Sequence, residues 1–157
     1  MTISRVIAVA TASAMFFATL AQAQDHEKKI KRSALPPAVE KAVVEQSQGA
    51  TVRGFSEERE KGQTFYEAEL LINGHGKDVL MDETGAVVEI EEQVPFESLP
   101  PAVKDGLQTL AGKDKILGVE SLTKKGRLVA YEAKVLSNGK KSELQVGPEG
   151  KPLDHEE

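Results

Sequence analysis

The stretch LPPAV at Leu35-Pro36-Pro37-Ala38-Val39 returns letter for letter at Leu99-Pro100-Pro101-Ala102-Val103, and its reading decides the fold. Proline fits the first turn of a helix, where its missing N–H would have no partner, and it pushes the preceding residue into extended backbone. Each LPPAV therefore predicts an extended Leu followed by a helix start. Downstream of the first copy, Val39, Ala42, Val43 and Gln46 share one helical face and Gly49 stands where the helix should stop. Downstream of the second, Val103, Leu107 and Leu110 share the matching face and Gly112 is the stop.

The similarity continues outward from the helices. Lys61-Gly62 corresponds to Lys125-Gly126 at the same spacing as the two LPPAV copies. From Tyr66-Glu67-Ala68-Glu69-Leu70 against Tyr131-Glu132-Ala133-Lys134-Val135 the spacing grows by one residue, which predicts a single insertion in the strand approaching Tyr131. Both runs alternate with a period of two, as half-buried strands do, and each is followed by an Asn-Gly pair, Asn73-Gly74 or Asn138-Gly139, suited to a tight hairpin. Val79 and Met81, or Leu144 and Val146, mark the next strands, and Gly85 or Gly150 closes the turn after them. Val88 and Ile90 alternate with Glu89 and Glu91 in a final strand whose counterpart stops short at Leu153. Internal self-similarity of this kind predicts an α+β chain of two tandem repeats, each one helix followed by an antiparallel three- to four-stranded sheet, with the helices on one sheet face.

The N-terminus predicts export. Arg5 precedes an acid-free apolar run from Val6 to Leu20, which ends in Ala21-Gln22-Ala23, small residues of the kind a signal peptidase reads. The run is shorter than the roughly 20 apolar residues a bilayer span needs, so a removed signal at 1–23 is favoured over an anchor and no stable membrane span is expected after cleavage. The divisions that follow are a charged, disordered leader at 24–32, repeat 1 at 33–93 and repeat 2 at 94–157, in a periplasmic or secreted protein.

Composition narrows the chemistry. The chain has 157 residues with 20 Lys and Arg against 25 Asp and Glu; without Arg5 the balance is 19 − 25 = −6. That charge disfavours nucleic acid. There is no cysteine, so neither disulfides nor thiolate metal ligation can staple the fold. His26, His75 and His155 fall in the leader, a turn and the tail, at spacings that form no metal-ligand pair. No Ser-His-acid order or phosphate-cradling loop is present, and carboxylate pairs such as Glu67 with Glu69 lack the pocket signal acid-base catalysis needs. An enzyme is not expected, nor is any cofactor or metal. Tyr66 and Tyr131 share their strand faces with Ala and with Leu or Val, which makes them core residues before interface anchors.

The order of helix, Gly49-Ala-Thr-Val52, Tyr66-Glu-Ala-Glu-Leu70, Asp78-Val-Leu-Met-Asp82 and Thr84-Gly-Ala-Val-Val88 resembles the PepSY and PepSY-like domains of exported bacterial proteins. The paired arrangement is also similar to the beta-lactamase inhibitory protein fold, in which two helix-plus-strand repeats form a concave sheet. The resemblance implies a non-catalytic module that binds another exported or envelope protein and holds a peptidase or other hydrolase in check. Gly147 stands where the first half has Asp82. The face opposite the helices would present the partner-binding residues: Glu67, Glu69, Leu71 and Leu80 in the first half, Glu132, Lys134 and Leu136 in the second. The competing expectation is a periplasmic carrier of a small ligand or lipid, held in a groove between the halves.

Overall fold

A computed structural model describes residues 27–153 and 157; the expected signal at 1–23, His26 and His155 lie outside them. Strand β1 (Lys28–Ile30) and a 3-10 turn (Arg32–Ala34) precede helix α1 (Pro37–Gln46). Strands β2 (Thr51–Glu60), β3 (Gln63–Ile72), β4 (His75–Asp82) and β5 (Val87–Val94) follow. A second 3-10 turn (Phe96–Ser98) leads into helix α2 (Pro101–Ala111) and strands β6 (Lys115–Lys124), β7 (Arg127–Ser137) and β8 (Lys140–Val146).

The local readings hold where a few neighbouring residues decide the backbone. Leu35 and Leu99 are extended, Pro36 and Pro100 cap the helices, and Pro37 and Pro101 occupy the first turn. Val39, Ala42 and Val43 are buried beneath α1, Val103, Leu107 and Ala111 beneath α2; Leu110, expected on the buried face, is 38% exposed. Asn73-Gly74 and Asn138-Gly139 take the paired positive φ angles of tight hairpins, as do Lys61-Gly62 and Lys125-Gly126. The strand approaching Tyr131 carries a bulge at Val129. Leu122 pairs with Ala130 and Thr123 with Leu128, so Val129 is accommodated as a bulge.

The sheet overturns the expected fold class. Instead of two helix-plus-small-sheet units there is one antiparallel sheet of eight strands in sequence order. β5 does not end the first half as an edge: it pairs with β6 over six positions, from Glu89 opposite Lys124 to Val94 opposite Val119. The physical reason is that a terminal strand with unpaired N–H and C=O groups is a template for the next strand, and β6 satisfies it. The expected disordered leader at 24–32 is corrected in part on the same grounds. Lys28 to Ile30 pair with Glu57 to Phe55, closing the free edge of β2, and Ile30 packs against the core.

Two apolar clusters line the helix-covered face. Tyr66, Ala68, Leu70, Val79 and Met81 meet α1; Val119, Ala133, Val135 and Val146 meet α2, with Tyr131 packed alongside. Val94 and Phe96 pack against the second cluster. The turns after β4 and β8 lie against the helix starts so closely that a Cβ on Gly85 would strike the carbonyl of Ala38, and one on Gly150 the carbonyl of Ala102. Asp82 caps the first turn, its Oδ1 accepting from the Thr84 N–H (2.8 Å) and hydroxyl (2.6 Å). Gly147 offers no side chain there, yet its N–H still donates to the Lys151 carbonyl (2.8 Å).

Candidate functional site

Because strand side chains alternate, the residues between the core positions all project from the helix-free face of the sheet. Register aligns them in rows across strands. One row runs Lys29, Ser56, Glu67, Leu80, Glu89, Lys124; the next runs Gly54, Glu69, Asp78, Glu91, Leu122, Ala130. A third carries Gln93, Glu120, Glu132 and Gln145, and a fourth Gly118, Lys134 and Glu143. Carboxylates outnumber lysines in the second and third rows and equal them in the first and fourth.

All seven residues expected on this face are on it: Glu67 lies opposite Leu80, Glu69 opposite Asp78, Leu71 opposite Gly76, Glu132 opposite Gln145, Lys134 opposite Glu143 and Leu136 opposite Lys141. Merging the halves through β5 and β6 brings together what the sequence kept apart. Asp78, Glu89, Glu91 and Glu120 join the face; alternation signalled Asp78 through Val79 and Met81, and Glu89 and Glu91 through Ile90, while Val88, expected on the core side, falls in a bulge and Val87 packs there instead. Glu58, Glu67, Asp78, Leu80, Glu89 and Glu91 surround a small acidic depression of about 120 Å³.

Crowding acids on a half-buried surface penalises their charged forms. Glu91 is pushed up to about 8 by burial first, then by the nearby Glu132, Glu120 and Glu89. Glu67 is held well above the usual carboxylate range by burial, by Asp78 and by Glu58, with which it shares a hydrogen bond. Burial also raises Asp78 and Glu132. Lysines relieve part of this crowding. Lys134 Nζ lies 2.8 Å from Glu120, and although burial opposes its charge, Glu120, Glu91 and Glu132 raise its pKa overall. Lys29 Nζ donates to Glu69 Oε1 at 2.8 Å. Gln145 Nε2 donates to Glu132 at 2.9 Å. Ser56 is fully buried and its hydroxyl has no hydrogen-bond partner among the described residues.

A second feature lies at the junction of the halves. A trough of about 700 Å³ opens between the end of β5, the C-terminus of α2 and the start of β6, lined by Val94, Phe96, Ala111, Ile116 and Leu117, the last 43% exposed. Among the described residues no group of His, Asp or Glu is arranged to hold a metal ion, and no helix is long and apolar enough to cross a membrane.

No protein-family model matches the chain, and no curated protein does. Solved structures do. A BLIP-like protein from Bacteroides fragilis superposes with a TM-score of 0.55 at 22% identity, over 74% of this chain and 81% of that one. A DUF2874 family protein from Bacteroides ovatus gives 0.61 at 20% identity over 76% and 85%. A protein from Bacteroides eggerthii provisionally described as periplasmic gives 0.62 at 17% identity over 76% and 86%. The fold is BLIP-like.

Proposed function

We propose that this BLIP-like chain is an exported, non-catalytic, PepSY-like module that binds another envelope or secreted protein through the helix-free face of its sheet, and that the partner presents a basic surface. The carrying observation is the electrostatic state of that face: Glu67, Asp78, Glu91 and Glu132 are all raised, so incoming Lys or Arg side chains would stabilise carboxylates that the fold leaves under-neutralised. The apparent signal at 1–23 and the neighbour provisionally described as periplasmic support export. Restraint of a peptidase or other hydrolase is the form of partner binding that the PepSY resemblance suggests.

The test is crosslinked capture from the native envelope fraction, comparing wild type with Glu69→Lys/Glu132→Lys. A protein retained by wild type, released by salt and lost with the reversed charges supports the reading. Capture indifferent to both salt and charge reversal refutes it. The trough of about 700 Å³ favours a second reading, a carrier of a small apolar ligand. Native mass spectrometry separates the two, since a carrier taken from its source retains ligand mass.

A further inference from the structure

The two long hairpins end differently. Beyond β4 the chain turns at Gly85 and returns as β5, which pairs with β4 from Lys77 to Met81. Beyond β8 it makes a similar turn at Gly150, but the return amounts to one bridge between Val146 and Pro152. Proline has no N–H to continue a ladder. Among the described residues, no strand covers the outer edge of β8.

The direction of its backbone groups follows from the bonds present. Gly147 donates outward to Lys151. Since N–H and C=O groups of a strand alternate between its two neighbours, Gln145, Glu143 and Lys141 also direct theirs outward. The Gln145 side chain accepts from the Glu157 N–H at 2.9 Å, so Glu157 sits there. Among the described residues no backbone bond reaches the outward groups of Lys141 and Glu143, and both side chains are exposed.

We propose that this edge is a self-complementary seat for a second copy of the chain, the two β8 strands joining antiparallel about a twofold axis at Ser142. Only outward-directed residues can exchange hydrogen bonds, so odd-numbered residues must face odd-numbered ones. Alignments that set Lys141 against Lys141, or Glu143 against Glu143, oppose like charges directly and are destabilised. An alignment of Glu143 with Gln145 meets Glu157, which is held at the Gln145 side chain. The remaining register places Lys141 opposite Glu143 of the second copy, and symmetry makes that pair twice. Exposed edge lysines ordinarily repel an added strand. Here they reject the wrong registers and accept one. Both residues lie on the helix-free face, so joining extends one acidic sheet across two copies. The inference uses the edge alone and stands whether or not the face binds a basic partner.

Sedimentation velocity over micromolar to millimolar protein tests it, with Glu143→Lys, Lys141→Glu and the double swap. Each single reversal should weaken the dimer by about tenfold or more, and the swap, which restores opposite charges, should recover wild-type association. Hydrogen exchange on wild type should show the Lys141 and Glu143 amides gaining protection as concentration rises. That measurement decides the matter even where a variant fails to fold. A monomer throughout the range, a dimer indifferent to the single reversals, or protection confined to another edge such as β1 would overturn the proposal.

Discussion

Replacing Glu91 with Gln should stabilise the protein in alkali and leave it unchanged in acid. Glu91 lies between Asp78 and Leu122 in the sheet, within the influence of Glu132, Glu120 and Glu89, with Lys134 the nearby cation. Its folded pKa, about 8, is above the ordinary 4.5. A carboxyl raised in the folded state contributes stability that is fully present below its unfolded pKa and is lost as pH rises through the folded one. The window is therefore about pH 4.5 to 8. Each pKa unit is worth about 1.4 kcal/mol, so the full penalty would approach 5 kcal/mol, and solvent reaching the face reduces it to about 1–2 kcal/mol. Gln keeps the shape and carries no charge. Thermal unfolding followed by circular dichroism at pH 5, 7 and 9 should show Glu91→Gln matching wild type at pH 5 and melting about 4–8 °C higher at pH 9. Wild type should itself lose stability across the window, since Glu67, Asp78 and Glu132 are raised in the same direction. An equal gain for the variant at pH 5 and pH 9, or a wild type that grows more stable toward pH 9, would refute the reasoning.

Lys134→Met removes the cation 2.8 Å from Glu120 and should cost about 1 kcal/mol at pH 8, because that lysine is partly solvated, with the loss shrinking toward pH 5 as neighbouring carboxyls protonate; paired urea titrations measure it. Leu107→Ala, at a fully buried position under α2, should lower stability by about 2–5 kcal/mol in guanidinium unfolding. Gly85→Ala should be considerably worse than Gly74→Ala: both have positive φ, but only at Gly85 does the new methyl meet the Ala38 carbonyl, and the difference in denaturation midpoint between the two variants reports that contact.

Much of the chain could be read without coordinates wherever the determinant was local. A proline pair sets its own φ and that of the residue before it; Asn-Gly supplies two positive φ angles; alternation assigns faces because the pleat has a period of two. That logic put Tyr66, Ala68 and Leu70 on the core side and Glu67, Glu69, Glu132 and Lys134 on the other. Leu110 was misread because three apolar residues fit a helical face equally well with Leu110 or Ala111 at its margin, and only the packed sheet distinguishes them.

Tertiary structure alone decided that β5 and β6 join, that Lys28 to Ile30 become a strand, and that acids from both halves crowd onto one surface until burial raises Glu67 and Glu91. The reason is physical. Hydrogen bonds between strand edges are made by backbone groups that every residue carries, so no side-chain pattern specifies which edge meets which. A carboxyl's charge state, in turn, depends on neighbours several strands away that acquire their distances only when the sheet is complete.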